Sequence, residues 1–388
     1  MLPNGWKTTT VGQSCSIRNT LRFPLSAADR AVIQGHYPYF GPTGQLDSID
    51  HYRIDEPFAL IGEDGDHFLK FRDRSMTLYF EGKANVNNHA HIIGDSEECL
   101  AKWFYYCFMH RDLTPVLSRQ GVGRYKLTKA GLEKLELPLP PIREQAAIVG
   151  VLSTWDQTIA ATERLLANSK QQRLGLMQKL ISDRSRQSRG ETVLRREHAS
   201  EIFLPRSVRR NDGLELLSVM QDVGVVPRSS LDRKVVMPDG STDGYKLVEP
   251  GDFVISLRSF EGGLEYSRYR GLVSPAYTVL MPTKPIVDDF YRHYFKSQEF
   301  IGRLAVAVIG IRDGKQISYN DFEFIKLPYP SIEEQEAIAI TLNAAEQVVK
   351  RHETYLQLLR QEKAALMSQL LTGKRRVKLQ DIETEVQA

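Results

Sequence analysis

The sequence predicts an α+β fold: two globular mixed α/β domains, separated by two long helices that form an antiparallel coiled coil, with the whole chain a pseudo-twofold tandem repeat. Three observations carry this reading. A 44-residue stretch beginning at Leu137 recurs, with many identities, from Leu327. Within each copy, apolar residues follow alternating steps of four and three. Each copy also opens on a proline-rich stop: Pro138, Pro140 and Pro141 in the first, Pro328 and Pro330 in the second.

The repeat comes first because it dictates the architecture. Leu137-Pro138-Leu139-Pro140 returns as Leu327-Pro328-Tyr329-Pro330, 190 residues on. At that offset Ile142, Glu144, Gln145, Ala147, Ile148, Leu152, Gln157, Glu163, Leu166, Gln171, Leu176, Met177 and Leu180 all meet identical residues. That makes 16 identities in 44 positions, where chance gives roughly two or three. Earlier segments correspond more faintly. Tyr52–Pro57 resembles Tyr245–Pro250, with an apolar stretch after each, and Phe104-Tyr105 resembles Phe290-Tyr291. The chain therefore divides into a globular part at 1–140, a helix at 141–190, a second globular part at 191–330, a second helix at 331–376 and a tail at 377–388.

The globular parts read as mixed. Phe253–Leu257 and Tyr277–Leu280 are short β-rich runs between Pro, Gly and Asp turns. Glu98–Met109 and Asp288–Ala307 have helical character.

The long helices have start signals. Pro141 and Ser331 stand at helix entry, with Glu144 and Glu334 in the first turn, where acids favour the helix dipole. Ser331 with Glu334 matches a capping box. Gly373, followed by Lys374-Arg375-Arg376, is a stop. Between these signals, Ile338, Leu342, Ala345, Val349, His352, Leu356, Leu359, Lys363, Leu366 and Leu370 form a seam. The same positions less 190 are Ile148, Leu152, Trp155, Ile159, Thr162, Leu166, Ser169, Arg173, Leu176 and Leu180. That period is a coiled-coil signature, and two matching seams most simply pair with each other. The polar members (Thr162, Ser169, Arg173, His352, Lys363) are expected at solvated ends or at contacts with a partner.

Composition excludes several classes. No run of 18 apolar residues is present to cross a bilayer, and no secretory signal opens the chain. Cys15, Cys99 and Cys107 make neither a disulfide framework nor a metal-ligand pattern, which fits a reducing cytoplasm. Net charge is +3. Residues 1–140 hold 16 basic and 16 acidic side chains, and 191–330 hold 19 of each, so neither globular part is a basic slab. Bulk counterion release from this chain alone is expected to be modest. Catalytic motifs are missing as well. No N/D-P-P-Y/F loop appears, and Gly310–Gln316 has the wrong spacing for a phosphate-binding loop. Asp73 with Glu81-Gly82-Lys83 only loosely imitates a metal-nuclease trio. His89 and His91 are a poor zinc pattern, and Gly62–Asp66 reads as a turn.

Two variable units alternating with two near-copies of L-P-x-P-(x)-I-x-E-Q-x-A-I resemble the DNA specificity subunit of type I restriction-modification systems. Pro138, Pro140, Ile142, Glu144, Gln145, Ala147 and Ile148 carry the resemblance, with Pro328, Pro330, Ile332, Glu334, Gln335, Ala337 and Ile338. The first copy departs at its end, where Ser182-Asp183-Arg184 stands in place of Thr372-Gly373-Lys374. The resemblance implies that each variable unit is a target-recognition domain reading one half of a split, asymmetric site on double-stranded DNA. It implies that the helices act as spacer and as docking surface for two modification subunits, with restriction subunits beyond. No cofactor is expected in this chain; S-adenosylmethionine, ATP and magnesium belong to those partners, and the chain itself is non-catalytic. A helix over 141–180 is about 60 Å long, one to two DNA turns of about 34–36 Å.

Base reading needs Arg, Lys, Asn, Gln or Ser at groove edges, and loops near Gly or Pro are the natural places. These are Tyr39, Thr43, Asn87, Asn88, Arg119, Gln120 and Arg124 in the first unit, and Arg258, Ser259, Arg312, Lys315 and Gln316 in the second. Glu144, Gln145, Glu334 and Gln335 are candidates for partner docking or simply for helix starts. No metal ligands are expected. The alternative reading is a coiled-coil scaffold that joins two protein-interaction domains and has no DNA role.

Overall fold

Phe58–Gly62 is a strand buried along its whole length, as an apolar run covered on both faces must be. Its alternate side chains sort into two cores. Ala59 and Ile61 pack with Val11, Trp103, Phe104 and Leu137, while Phe58 and Leu60 pack with Phe40, Val86 and Ile92. Phe253–Ile255 does the same. Phe253 and Ile255 join Phe203, Tyr291 and Leu327, and Val254 joins Leu217, Val248 and Val279.

These two strands organise a computed structural model that describes residues 2–120, 124–190, 192–209, 213–221, 223–231, 244–256, 259–307 and 317–378. The chain forms two compact units, Met1–Thr162 with Tyr355–Ala388, and Glu163–Thr354. Each unit holds one globular part and a portion of both long helices.

In the first unit, Phe58–Gly62 lies between Ala90–Gly94 and Thr77–Phe80, with Ser16–Ile17 at the far edge, all antiparallel. A second sheet sets Gln34–Phe40 between Gln45–Ile49 and Lys83–Val86, the latter pairing parallel. Lys7–Thr10 pairs with Glu136–Leu139, which joins the start of the chain to the strand that feeds the first long helix.

In the second unit, Phe253–Ile255 lies between Thr278–Pro282 and Glu265–Tyr266, with Phe203–Pro205 at the edge. Arg196–His198 pairs with Lys326–Pro328. Order and direction match the first unit, so the repetition read from the sequence extends to sheet topology. Trp103 Nε1 donates to the Pro138 carbonyl at 3.1 Å, and Tyr291 Oη donates to the Pro328 carbonyl at 2.8 Å. Thus an aromatic donor closes the same corner in both units.

The long helices run Ile142–Ile181 and Ile332–Leu370. All twenty seam positions are buried or half-buried. Pairing is antiparallel within each unit. In the first, Glu144 meets Arg376 and Asp156 meets Lys363. In the second, Lys170 meets Glu353 and Arg186 meets Glu334. Ser169, His352 and Lys363 find partners inside their own units, which corrects for those three the expected role as solvated ends or contacts for another protein. Ser169 Oγ lies 3.0 Å from His352 Nδ1, and Lys363 binds Asp156. The first helix stops at Ser182 and restarts as Asp183–Ser188, which settles the departure noted at that position. The helical stretch Asp288–Ala307 is two helices, Asp288–Tyr294 and Gln298–Ala307.

Candidate nucleic-acid interface

One end of the first globular part is built from four loops stitched together by backbone hydrogen bonds. Gly41 N donates to Gly44 O at 2.8 Å, which closes the turn that carries Thr43. Asn87 N donates to Phe40 O at 2.9 Å, so the Asn87–His89 turn starts beside it. Glu63 N donates to His89 O at 2.8 Å, and Leu127 N to Glu63 O at 2.7 Å. The latter ties in the hairpin Ser118–Gln120/Arg124–Lys126. Gly65, at φ +133, lets the chain reverse beneath that hairpin, its N–H donating to Tyr125 O at 3.1 Å.

A half-buried ionic cluster holds these loops from below. Glu63 takes Arg22 at 2.8 Å and Lys126 at 3.2 Å. Burial opposes ionisation of Glu63, but Lys126 and Arg22 outweigh it and hold the carboxyl below its ordinary range. Burial, reinforced by Arg22, holds the His91 imidazole below its usual value. Neutral His91 fits its contacts: Nε2 donates to Leu127 O at 2.8 Å, while Nδ1 accepts from Arg22 at 2.8 Å and Asn19 at 3.0 Å. His89 pairs with Asp64 at 3.1 Å. The two histidines therefore serve different networks. Among the described residues, no three His, Cys, Asp or Glu side chains gather to hold a metal ion.

On this platform Thr43, Asn88 and Arg119 are exposed, and they share one end of the sheet. Arg119 lies over the Tyr125 ring and donates to its hydroxyl at 3.2 Å. The backbones of Gln120 and Arg124 pair across the hairpin. Two expected contacts turn out to be structural. Tyr39 is wholly buried; its hydroxyl donates to Phe23 O at 2.6 Å and accepts from Leu25 N at 2.9 Å. Asn87 is buried, and its Oδ1 accepts the His89 N–H at 2.9 Å, so it shapes the turn on which Asn88 is presented. In the second unit Ser259 is also buried, its Oγ accepting the Ser256 N–H at 2.8 Å. Arg258, Arg312, Lys315 and Gln316 lie outside the described residues, as does all of Gly310–Gln316.

The Glu-Gln pairs at the helix starts bind their own units. Gln145 is fully buried. Its Oε1 accepts from Leu100 N at 3.0 Å, and its Nε2 donates to Glu98 O at 2.7 Å and Pro140 O at 2.9 Å. Gln335 repeats this with Val287 N at 2.9 Å and Pro330 O at 3.1 Å. Glu144 is buried and accepts from Trp6 Nε1 at 3.1 Å and from Arg376 at 3.0 and 2.7 Å. Glu334 takes Arg186 at 2.8 Å. Docking to another protein is thereby corrected for Glu144, Gln145 and Gln335: burial leaves no surface to offer. Sequence reasoning missed Arg186 and Arg376, although the 190-residue offset relates them. It also missed Arg22 and Lys126, whose partners are distant in sequence.

Comparison with known proteins bears on what this scaffold is. A family model described as the type I restriction modification DNA specificity domain matches residues 3–169. A Methanocaldococcus jannaschii protein with the provisional name type I restriction enzyme MjaX specificity subunit is 25% identical over 297 residues. That match covers 70% of this chain and 66% of that protein. The MjaVIII specificity subunit of the same organism is 22% identical over 97% of this chain and 94% of its own length. Among solved structures, a type I restriction-modification S subunit from M. genitalium superposes with a TM-score of 0.63 at 15% identity, covering 96% of this chain and 98% of that one. A chain from a structure of complex assembly and conformational transition in a type I system gives 0.54 at 15% identity, covering 97% and 100%. At that identity the two structures speak for the fold. Family model, relatives and fold point the same way: residues 3–169 match the DNA specificity domain of type I restriction-modification systems, and the chain as a whole is similar to specificity subunits of such systems.

Proposed function

We propose that each globular part reads one half of a split, asymmetric DNA target, and that the paired helices set the spacing of the halves and present the chain to two modification subunits. Restriction subunits join the same complex. S-adenosylmethionine serves the modification subunits; ATP and magnesium serve the restriction subunits. The setting is the cytoplasm, consistent with three free cysteines and with the lack, among the described residues, of any helix long and apolar enough to cross a membrane. The observation that carries this reading is the loop cluster of the first unit. It brings Thr43, Asn88 and Arg119 to one end of a rigid sheet, residue types suited to phosphate and base-edge contact. The two units share a framework but carry different residues at that end, which supports an asymmetric target.

The test is a map of N6-methyladenine across DNA from cells in which residues 1–140 are exchanged for the equivalent part of another specificity subunit. One half of the methylated sequence should change and the other persist. A swap that alters both halves, or neither, overturns the proposal.

A further inference from the structure

The end of the second unit's sheet that corresponds to the loop cluster of the first is marked by the pairing of Ile255 with Thr278, as Gly62 pairs with Ala90 in the first. Two cations are held there side by side. Arg209 and Lys246 face each other across an antiparallel bridge, fixed by the Leu247 N–H donating to Val208 O at 3.0 Å. The Lys246 ammonium is half-buried and donates to the carbonyl of Tyr277, next to Thr278. Arg209 is exposed. Among the described residues, neither has an acidic partner. Several partly buried cations of this unit are instead ion-paired: Arg206 with Asp252, Lys284 with Glu197 and Lys296 with Glu265. Like charges directly opposite on paired strands are destabilising, and Lys246 registers the strain: burial, then Arg209, holds its ammonium below the ordinary lysine value. A fold that places two uncompensated cations together is poised for an anion.

We propose that Arg209 and Lys246 form a phosphodiester clamp that grips the backbone of duplex DNA at the recognition end of the second unit, fixing register without reading sequence. This rests on the DNA-reading role proposed above and adds the residues and the mode of contact. The anion is taken to be a backbone phosphate because the same sheet end in the first unit carries the exposed Asn88 and Arg119.

Each phosphate contact releases counterions and steepens the fall of affinity with salt by about 0.9 in log–log slope. The full chain, with the proteins that co-purify with it, is titrated against its methylated-site duplex and a scrambled duplex between low and moderate salt. Arg209→Gln and Lys246→Gln should each make the slope shallower by about one and weaken both duplexes by the same factor. Arg209→Lys should restore the slope. Because substitution relieves a like-charge contact, neither glutamine variant should unfold at a lower temperature than the unaltered chain. Unchanged slopes, or a loss confined to the target duplex, overturn the clamp while leaving the reading of function intact. Competition by millimolar inorganic phosphate without any loss of duplex affinity in the glutamine variants assigns the site to a free anion and also overturns it. Failure of the unaltered assembly to bind any duplex removes the functional reading and the clamp together.

Discussion

Arg376 grips Glu144 across 232 residues of sequence, with two hydrogen bonds of 3.0 and 2.7 Å to a carboxylate that is itself buried. Arg186, 190 residues before Arg376, gives the half-buried Glu334 a single hydrogen bond of 2.8 Å. In each unit the arginine that follows one long helix secures the start of the other. Removing it strands a desolvated carboxylate, which is costly in proportion to burial. Arg376→Ala should therefore lower the melting temperature more than Arg186→Ala, because Glu334 is the more exposed of the two acids. Comparing thermal unfolding of the two variants checks this order.

The buried amides of Gln145 and Gln335 hold each helix start to its domain. Gln145→Ala leaves the Leu100 N–H and two carbonyls without partners inside the core. At about 1–3 kcal/mol for a stranded buried group, destabilisation of about 2–4 kcal/mol is expected in urea unfolding. Gln145→Glu should fare little better, since it cannot donate to Glu98 O or Pro140 O. Full stability in either variant contradicts the assigned role.

Within the helical seam, Ser169 and His352 meet at 3.0 Å. A double-mutant cycle with Ser169→Ala and His352→Ala should give a coupling of about 0.5–1.5 kcal/mol. Leucine at both positions should stabilise the pairing, as apolar residues at seam positions do.

Acid should loosen the first unit in two steps. His91 is held below its ordinary value of 6.5, by burial first and Arg22 next. Its contribution is complete above about pH 6.5 and declines as pH falls, because the unfolded chain accepts a proton that the folded site resists. Glu63 is also held below its ordinary value of 4.5, so its contribution is present above that pH and lost on further acidification. His293, which burial and Arg292 hold low, adds the same dependence to the second unit. Melting temperatures from pH 7.5 to 5.5 should fall in the unaltered chain and fall less in His91→Gln, even if that variant starts lower.

At the recognition end, Asn88→Ala and Arg119→Ala should alter methylation in only one half of the target. Asn88 is the better candidate for base discrimination, at about 1–3 kcal/mol per bidentate contact. Arg119 is already engaged with Tyr125 and should act mainly on affinity. Relative methylation of single-base variants of the site in cells checks both.

The repeat, the helices and their seam were legible because they are periodic, and periodicity is local information. Strand Phe253–Ile255 was legible for the same reason, being an apolar run between turns. Helix breaks such as Ser182, and the turn between Tyr294 and Gln298, were not, because each depends on contacts made elsewhere. The candidate interface was half legible. Thr43 and Arg119 stand near glycine or proline and are exposed, as such positions often are, while Asn88 is exposed with no glycine or proline beside it. Tyr39 stands equally near Gly41 and Pro42, yet its ring fills the core, since strand alternation points it inward. Whether a polar residue faces water or another loop is decided by tertiary packing, which no spacing rule contains. The Glu-Gln pairs carry the opposite lesson. Their recurrence marked them as important, but the chemistry that makes them so is internal.

The first unit closes only when residues far apart in the chain have met, since its core takes in Leu366, Met367 and Leu370 from the second long helix. The second unit, Glu163–Thr354, is one continuous stretch. During synthesis, then, the portion made first is finished last. Its hydrophobic surface waits, uncovered, until the final helical turns leave the ribosome. A nonsense codon near residue 355 would spare the later-made unit and cripple the earlier one.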